Sequence, residues 1–164
     1  MQQPHRVVIT GLGAITPLGN TVKEFWDGLA AGKSGAANIT RFDASKFKTR
    51  FACEVKGFDP LQYMDKNEVR RNDLFSQYAI AASEQALADS GILAFSDLNK
   101  DKVGVIWASG NGGLLTLQEN ISEFALGDGT PRFNPFLVPK MIVDIASGII
   151  SIRNGLRGPN FTTV

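Results

Sequence analysis

Short apolar runs alternate along this chain with longer stretches of helical period. Residues 6–10 are the first such run: Val7, Val8 and Ile9, closed by Gly11, predict a buried strand. A helix over 21–31 follows, capped at Asn20 or Thr21 with Glu24 in its first turn, and expected to bury Val22, Phe25, Trp26 and Leu29. Residues 51–55 read as a strand, and a helical region begins near Phe58. Leu74, Tyr78, Ala81, Ala82, Gln85 and Ala86 then recur every three or four positions on a long helix that stops at Gly91. Residues 102–108 are apolar nearly throughout and predict another buried strand. It opens onto a small-residue turn, 109–113, and a helix over 114–126.

The remainder of the chain changes character twice. Residues 134–139 are too apolar for an exposed loop, which predicts burial against a partner surface. An apolar helix then ends at Asn154-Gly155, where glycine suits a left-handed cap, and after Gly158-Pro159 the β-branched segment 160–164 reads as a strand. Strands alternating with helices predict an α/β layered fold, a mixed sheet with flanking helices, in one domain spanning 1–164. Stopping in mid-strand on Val164 reads as a cut.

Composition narrows the functional classes. At 43% hydrophobic and 20% charged over 164 residues, the chain has the make-up of a globular domain with a real core. A formal net charge of +1 provides no global field for nucleic acid or membrane, so electrostatic recognition must come from a local patch. One cysteine excludes an internal disulfide framework and fits a reducing cytoplasm. The N-terminus lacks the apolar core of a signal peptide, and the apolar run around 141–152 is too short and too interrupted to span a bilayer.

Several motifs fail on inspection. Gly11-x-Gly13 after a strand suggests a dinucleotide fingerprint, but Thr16 stands where the third glycine belongs and no acidic strand end follows at the ribose distance. Gly32-Lys33-Ser34 mimics a phosphate-binding loop, but Gly28 lies one residue too close and the segment ends a helix. Cys53 reads as a small buried hydrophobe, because a catalytic thiolate needs a base and the sole histidine is His5 at the N-terminal end. Lys66, Arg70 and Arg71 form a basic cluster before the long helix; a solvated face is the plain alternative. No residue set suggests a metal or a cofactor.

The ordered set of segments resembles the N-terminal part of the β-ketoacyl-[acyl-carrier-protein] synthases, type II of the bacterial fatty-acid pathway in particular. Its carriers are Val7 to Gly13 with Thr16 to Asn20, Ala31 to Gly35, and Arg41-Phe42-Asp43. Further along are Arg70-Arg71 with Asp73, Ser109-Gly110-x-Gly112-Gly113, Pro135-Phe136-x-Val138-Pro139, and Gly155 to Asn160. The resemblance covers essentially the whole chain and implies the N-terminal part of a thiolase-like α-β-α-β-α fold. It implies a cytoplasmic acyltransferase without a cofactor, working on acyl- and malonyl-loaded acyl carrier protein through a decarboxylating Claisen condensation. The nucleophilic Cys is expected three residues after Val164, at the start of a buried helix whose positive end lowers its pKa. Two histidines are expected further on, so no catalytic residue is expected within 1–164.

Three features here match pattern positions that bear on substrate and partner. Asn111 stands where the family's gating residue, commonly Ile, meets the acyl pocket; an amide there needs hydrogen-bond partners, and a surface turn residue is the alternative. Phe136 and Leu137 match the segment that the family presents across a homodimer interface to line the pocket, with core packing inside one subunit as the alternative. Lys66, Arg70 and Arg71 match the rim that docks the acidic carrier protein, with Asn67 where a further basic residue is usual. A non-catalytic partner subunit resembling a chain-length factor, and an initiating synthase or thiolase acting on coenzyme A, are the competing readings.

Overall fold

A computed structural model describes residues 6–164, so His5 lies outside the described residues. The chain forms two compact units, one up to Asp59 together with Glu84–Phe95, the other Pro60–Ser83 with Ser96–Val164.

The first unit contains helix α1 (Val22–Ala30) and the two-residue strands β1 (Ala37–Asn38) and β2 (Phe51–Ala52), paired antiparallel. Thr21 caps α1 by accepting the Glu24 N–H, while the Glu24 carboxylate accepts the Asn20 N–H. The expected apolar face of α1 is only half covered. Val22 and Phe25 are half-buried, Trp26 is 68% exposed, and Gly28, seated against Leu18, is the helix's buried residue. Residues 6–10 form no strand, and Val7 is 89% exposed. A strand needs a ladder, and among the described residues none pairs with this run. The backbone just beyond it is held by side chains instead: Leu12 N–H donates to Asp89 at 2.9 Å and Ala14 N–H to Gln85 at 3.1 Å. The expected strand 51–55 stops after Ala52, because Glu54 turns its carboxylate onto Thr40 and Arg41. Cys53 beside it is exposed, not buried as its apolar neighbours suggested.

The second unit is built from α2 (Lys66–Arg71), α3 (Leu74–Ser90, whose last turns belong to the first unit), β3 (Val105–Ala108), α4 (Leu114–Leu126), α5 (Leu137–Met141), α6 (Ile145–Asn154) and β4 (Asn160–Thr163). The expected ends of α3 and α4 fall where the glycine and helix signals put them. Gly155 caps α6 in the left-handed region at φ 65°, as the sequence required. The apolar segment at 134–139 is helical in its second half, with Pro139 in the first turn of α5, where a missing N–H costs nothing. On α3 the buried positions are Ser76, Gln77, Ala79, Ile80 and Ala81, so the covered face is rotated from the predicted one and shares Ala81 with it.

β3 and β4 run parallel, in register from Val105↔Asn160 to Ala108↔Thr163. β3 is shorter than predicted and half covered: Val105 is buried and Ile106 is 63% exposed. The core gathers Met64, Ala79, Ile80, Val105, Ala146, Ile150 and Leu156, with Tyr63, Phe75 and Trp107 packed against it. Polar groups fix α6 to β4, since Asn160 Nδ2 donates to the Ser147 carbonyl at 3.0 Å and the Ser147 and Thr162 hydroxyls meet at 3.2 Å.

Candidate functional site

The basic cluster sits on α2, and its local sequence explains why so short a helix holds. Asp65 accepts the Asn67 and Glu68 N–H groups at 2.7 and 2.9 Å, and Glu68 returns the bond to Asp65 N–H at 3.0 Å. Glu68 also pairs with Arg153, whose second guanidinium nitrogen donates to the Tyr63 carbonyl at 2.8 Å, tying α2 to α6. Arg70 and Arg71 then fall in the last turn, where a helix favours cations.

Directly after α2 stands Asp73, 7% exposed. Its carboxylate accepts both the hydroxyl of Thr116 and the Thr116 N–H, the latter at 3.3 Å, and so satisfies an open donor in the first turn of α4. One turn further on, Asn120 Nδ2 donates to the Thr116 carbonyl at 2.8 Å, while its Oδ1 accepts the Asn134 N–H at 2.9 Å. Asn134 in turn accepts the Phe136 N–H on its side chain and the Leu137 N–H on its carbonyl, both at 2.8 Å. This chain of bonds delivers Phe136 beneath Arg71, whose guanidinium carbon lies 5.3 Å from the ring centroid.

The residues so placed line a cleft of about 630 Å³. Arg70, Arg71 and Arg132 contribute its positive charge, Glu119 and Glu123 of α4 its negative charge, and Phe133 and Phe136 its apolar surface. Arg132 pairs with Asp128 at 3.2 Å, a contact open to solvent. The Asp128 carboxyl lies below its ordinary range chiefly because the Thr130 N–H donates to it. Arginines beside an aromatic floor suit a partner that presents acidic groups next to an apolar one.

The structure brings three of the sequence-predicted residues into this cleft: Arg70, Arg71 and Phe136. Lys66, the first residue of α2, is exposed and does not line it. Leu137 opens α5 and is half-buried. Asn111 is exposed in the turn after β3, where its carbonyl accepts the Ser109 hydroxyl at 2.6 Å. The turn is pinned from behind. A Cβ on Gly112 would lie 1.7 Å from the Met141 carbonyl oxygen, and one on Gly113 2.2 Å from that of Lys140.

Thr116, Asn120, Asn134 and Arg132 are not among the candidates the sequence offers, and Asp73 enters there only as part of a pattern. Thr116 and Asn120 are polar residues four apart on α4, but Gln118 with Ser122 and Glu119 with Glu123 share that spacing, so the pair carries no signal of its own. Asn134 was detectable as an Asn before Pro135, a turn-forming pair. Among the described residues, no group of three His, Cys, Asp or Glu could hold a metal ion, and no helix is long and apolar enough to cross a membrane.

The architecture is that of the thiolase-like α/β ketosynthases. Over 96% of this chain and 39% of that one, it superposes on "The ishigamide ketosynthase/chain length factor" with a TM-score of 0.85 at 28% identity. A beta-ketoacyl synthase from Burkholderia phymatum has the same fold, with a TM-score of 0.71 at 24% identity over 95% of this chain and 38% of that one. Residues 5–164 match the family described as Beta-ketoacyl synthase, N-terminal domain, and the chain belongs to it. It is 46% identical over 162 residues to the 3-oxoacyl-[acyl-carrier-protein] synthase 2 of Synechocystis sp., covering 99% of this chain and 38% of that protein. The Vibrio cholerae protein of the same name is 50% identical over 156 residues, covering 95% of this chain and 37% of its own length. The chain thus spans less than two fifths of these curated relatives.

Proposed function

We propose that this chain is part of a longer, elongating 3-oxoacyl-[acyl-carrier-protein] synthase. A Cys thiolate three residues past Val164 takes the acyl group from carrier protein and releases the carrier thiol. Decarboxylation of malonyl carrier protein gives an enolate that attacks the acyl-Cys thioester. The new carbon–carbon bond forms as the thiolate leaves, carbon dioxide is the other product, and two histidines further along stabilise the enolate. In that protein Arg70 and Arg71, with Lys66, steer the acidic carrier protein, while Phe136, Leu137 and Asn111 border the acyl chain in a cytoplasmic homodimer that needs no cofactor. The observation that supports this reading best is Arg71 lying over Phe136, a docking cation in contact with an apolar pocket residue.

The test compares this chain with the longer gene product, each given acyl- and malonyl-loaded carrier protein. The longer product is expected to elongate and the 164-residue chain to be inactive. Elongation by the chain alone, with intact enzyme excluded by mass spectrometry, would overturn the assignment of the chemistry beyond Val164. A non-catalytic partner subunit is the second reading, favoured by the similarity to a ketosynthase/chain length factor structure. A residue other than Cys three positions after Val164 decides for it.

A further inference from the structure

We infer that Asn120 is a positioning residue that sets acyl-chain selectivity by fixing Phe136, an inference that rests on the condensing function proposed above. Asn120 is 9% exposed and lies on α4, an element already anchored by Asp73 through Thr116. Its amide does two separate things. The bond from Nδ2 to Thr116 is local and serves only the helix. The bond from Asn134 N–H to Oδ1 joins residues fourteen apart and holds the segment that leads into α5. The same segment is tied on either side of Asn134 by Phe133 against Phe124, ring centroids 5.5 Å apart, and by the Gly113 N–H donating to the Met141 carbonyl at 3.3 Å. α5 has five residues, too few to be stable alone, and Phe136 at its N-cap offers no side-chain acceptor. The Phe136 and Leu137 N–H groups are taken by Asn134 instead, so the place of the Phe136 ring under Arg71 depends on where Asn134 sits. A buried polar group with one local and one distant partner can be dissected, because Asp at position 120 keeps the acceptor and loses the donor, whereas Ala loses both.

The experiment has two parts. In the longer enzyme, amide hydrogen exchange is read at Phe136 and Leu137 relative to the core amides of α3. Asn120→Ala should accelerate exchange at both positions, and Asn120→Asp should leave them near wild type. In the longer enzyme, the readout is the ratio of kcat/KM on short and long acyl primers, which is independent of how much of the variant folds. Asn120→Ala should move that ratio by about tenfold, the low end of what one methylene decides in an apolar pocket, and in the same direction as Phe136→Ala. The double variant should match Phe136→Ala, since one residue acts through the other. If Phe136→Ala moves the ratio and Asn120→Ala does not, the positioning role is overturned while the function stands. If Asn120→Asp moves it as far as Asn120→Ala, the bond to Asn134 is not the cause and the inference falls. If Phe136→Ala leaves the ratio unchanged in an enzyme that elongates, both the pocket assignment and the inference fail.

Discussion

The two units of the chain use similar residues to different ends. The second gathers apolar side chains from α3, β3 and α6 into a buried cluster, and it hides Asp73, Thr116 and Asn120 beside that cluster only because each has partners. In the first unit the buried residues, among those described, are Gly28 and Ala44, while Val7, Ile9, Trp26 and Phe51 face outward. Its long-range ties are polar and partly open to water: Asp89 to Leu12, Gln85 to Ala14 and Asn20, Asn20 to Lys56. Apolar content therefore does not make a core; being covered does. A unit held by exposed hydrogen bonds should open locally at much lower cost than one held by buried contacts.

The contrast is broken most directly by truncation. Ile80→Ala, at a position 1% exposed, should cost about 2–5 kcal/mol, whereas Trp26→Ala should stay within about 0.5 kcal/mol. Equal losses in urea unfolding would mean that the first unit has a core of its own. A smaller gap is expected between two carboxylates. Asp73→Ala strands the buried donors of Thr116 and should cost about 1–3 kcal/mol, while Asp89→Ala frees an N–H that water can reach and should be nearly silent. A silent Asp73→Ala would show that the start of α4 needs no such anchor.

Charge gives a third comparison. In the proposed longer enzyme, Arg70→Glu with Arg71→Glu should weaken binding of the proposed carrier-protein partner about tenfold at low ionic strength and less in salt, while Lys33→Glu in the first unit should not. Binding equal to wild type would reduce the cluster to a solvated face. The smallest effect is expected with pH. The Thr40 hydroxyl, then its N–H, hold the Glu54 carboxyl below its ordinary value of 4.5. A depressed folded-state pKa stabilises the first unit above that value, and the contribution is lost as pH falls through the lower one. The gap in urea midpoint between wild type and Glu54→Gln should thus be present at neutral pH and shrink as pH falls below 4.5. An unchanged gap would show that the ionised carboxylate is not what holds the segment.

Helices whose two ends carry local signals were legible in the sequence. α4 is bounded by glycines, α6 ends on Gly155, and α1 begins on Thr21 with Glu24 in its first turn. Strands fared worse, because a strand is defined by its neighbour. The run Val7-Val8-Ile9 is apolar and β-branched, but nothing in the run itself says whether a ladder exists beside it. The site divides in the same way. Resemblance to the family offers Arg70, Arg71 and Phe136 as candidates, whereas Asn120 and Asn134 enter through a contact across fourteen residues that no local pattern announces.

The glycines of the turn after β3 also decide where this protein can be re-engineered. Behind Gly112 and Gly113 the carbonyls of Met141 and Lys140 leave no room for a methyl group, while a Cβ on Gly110 meets nothing within 4 Å. A saturation library over 110–113 should return tolerated variants at 110 and 111 and wild-type glycine at 112 and 113. Any retuning of the turn is thereby channelled through positions 110 and 111, ahead of two glycines whose neighbours leave no room. Directed evolution would find two dials there, one still a glycine and one already set to asparagine.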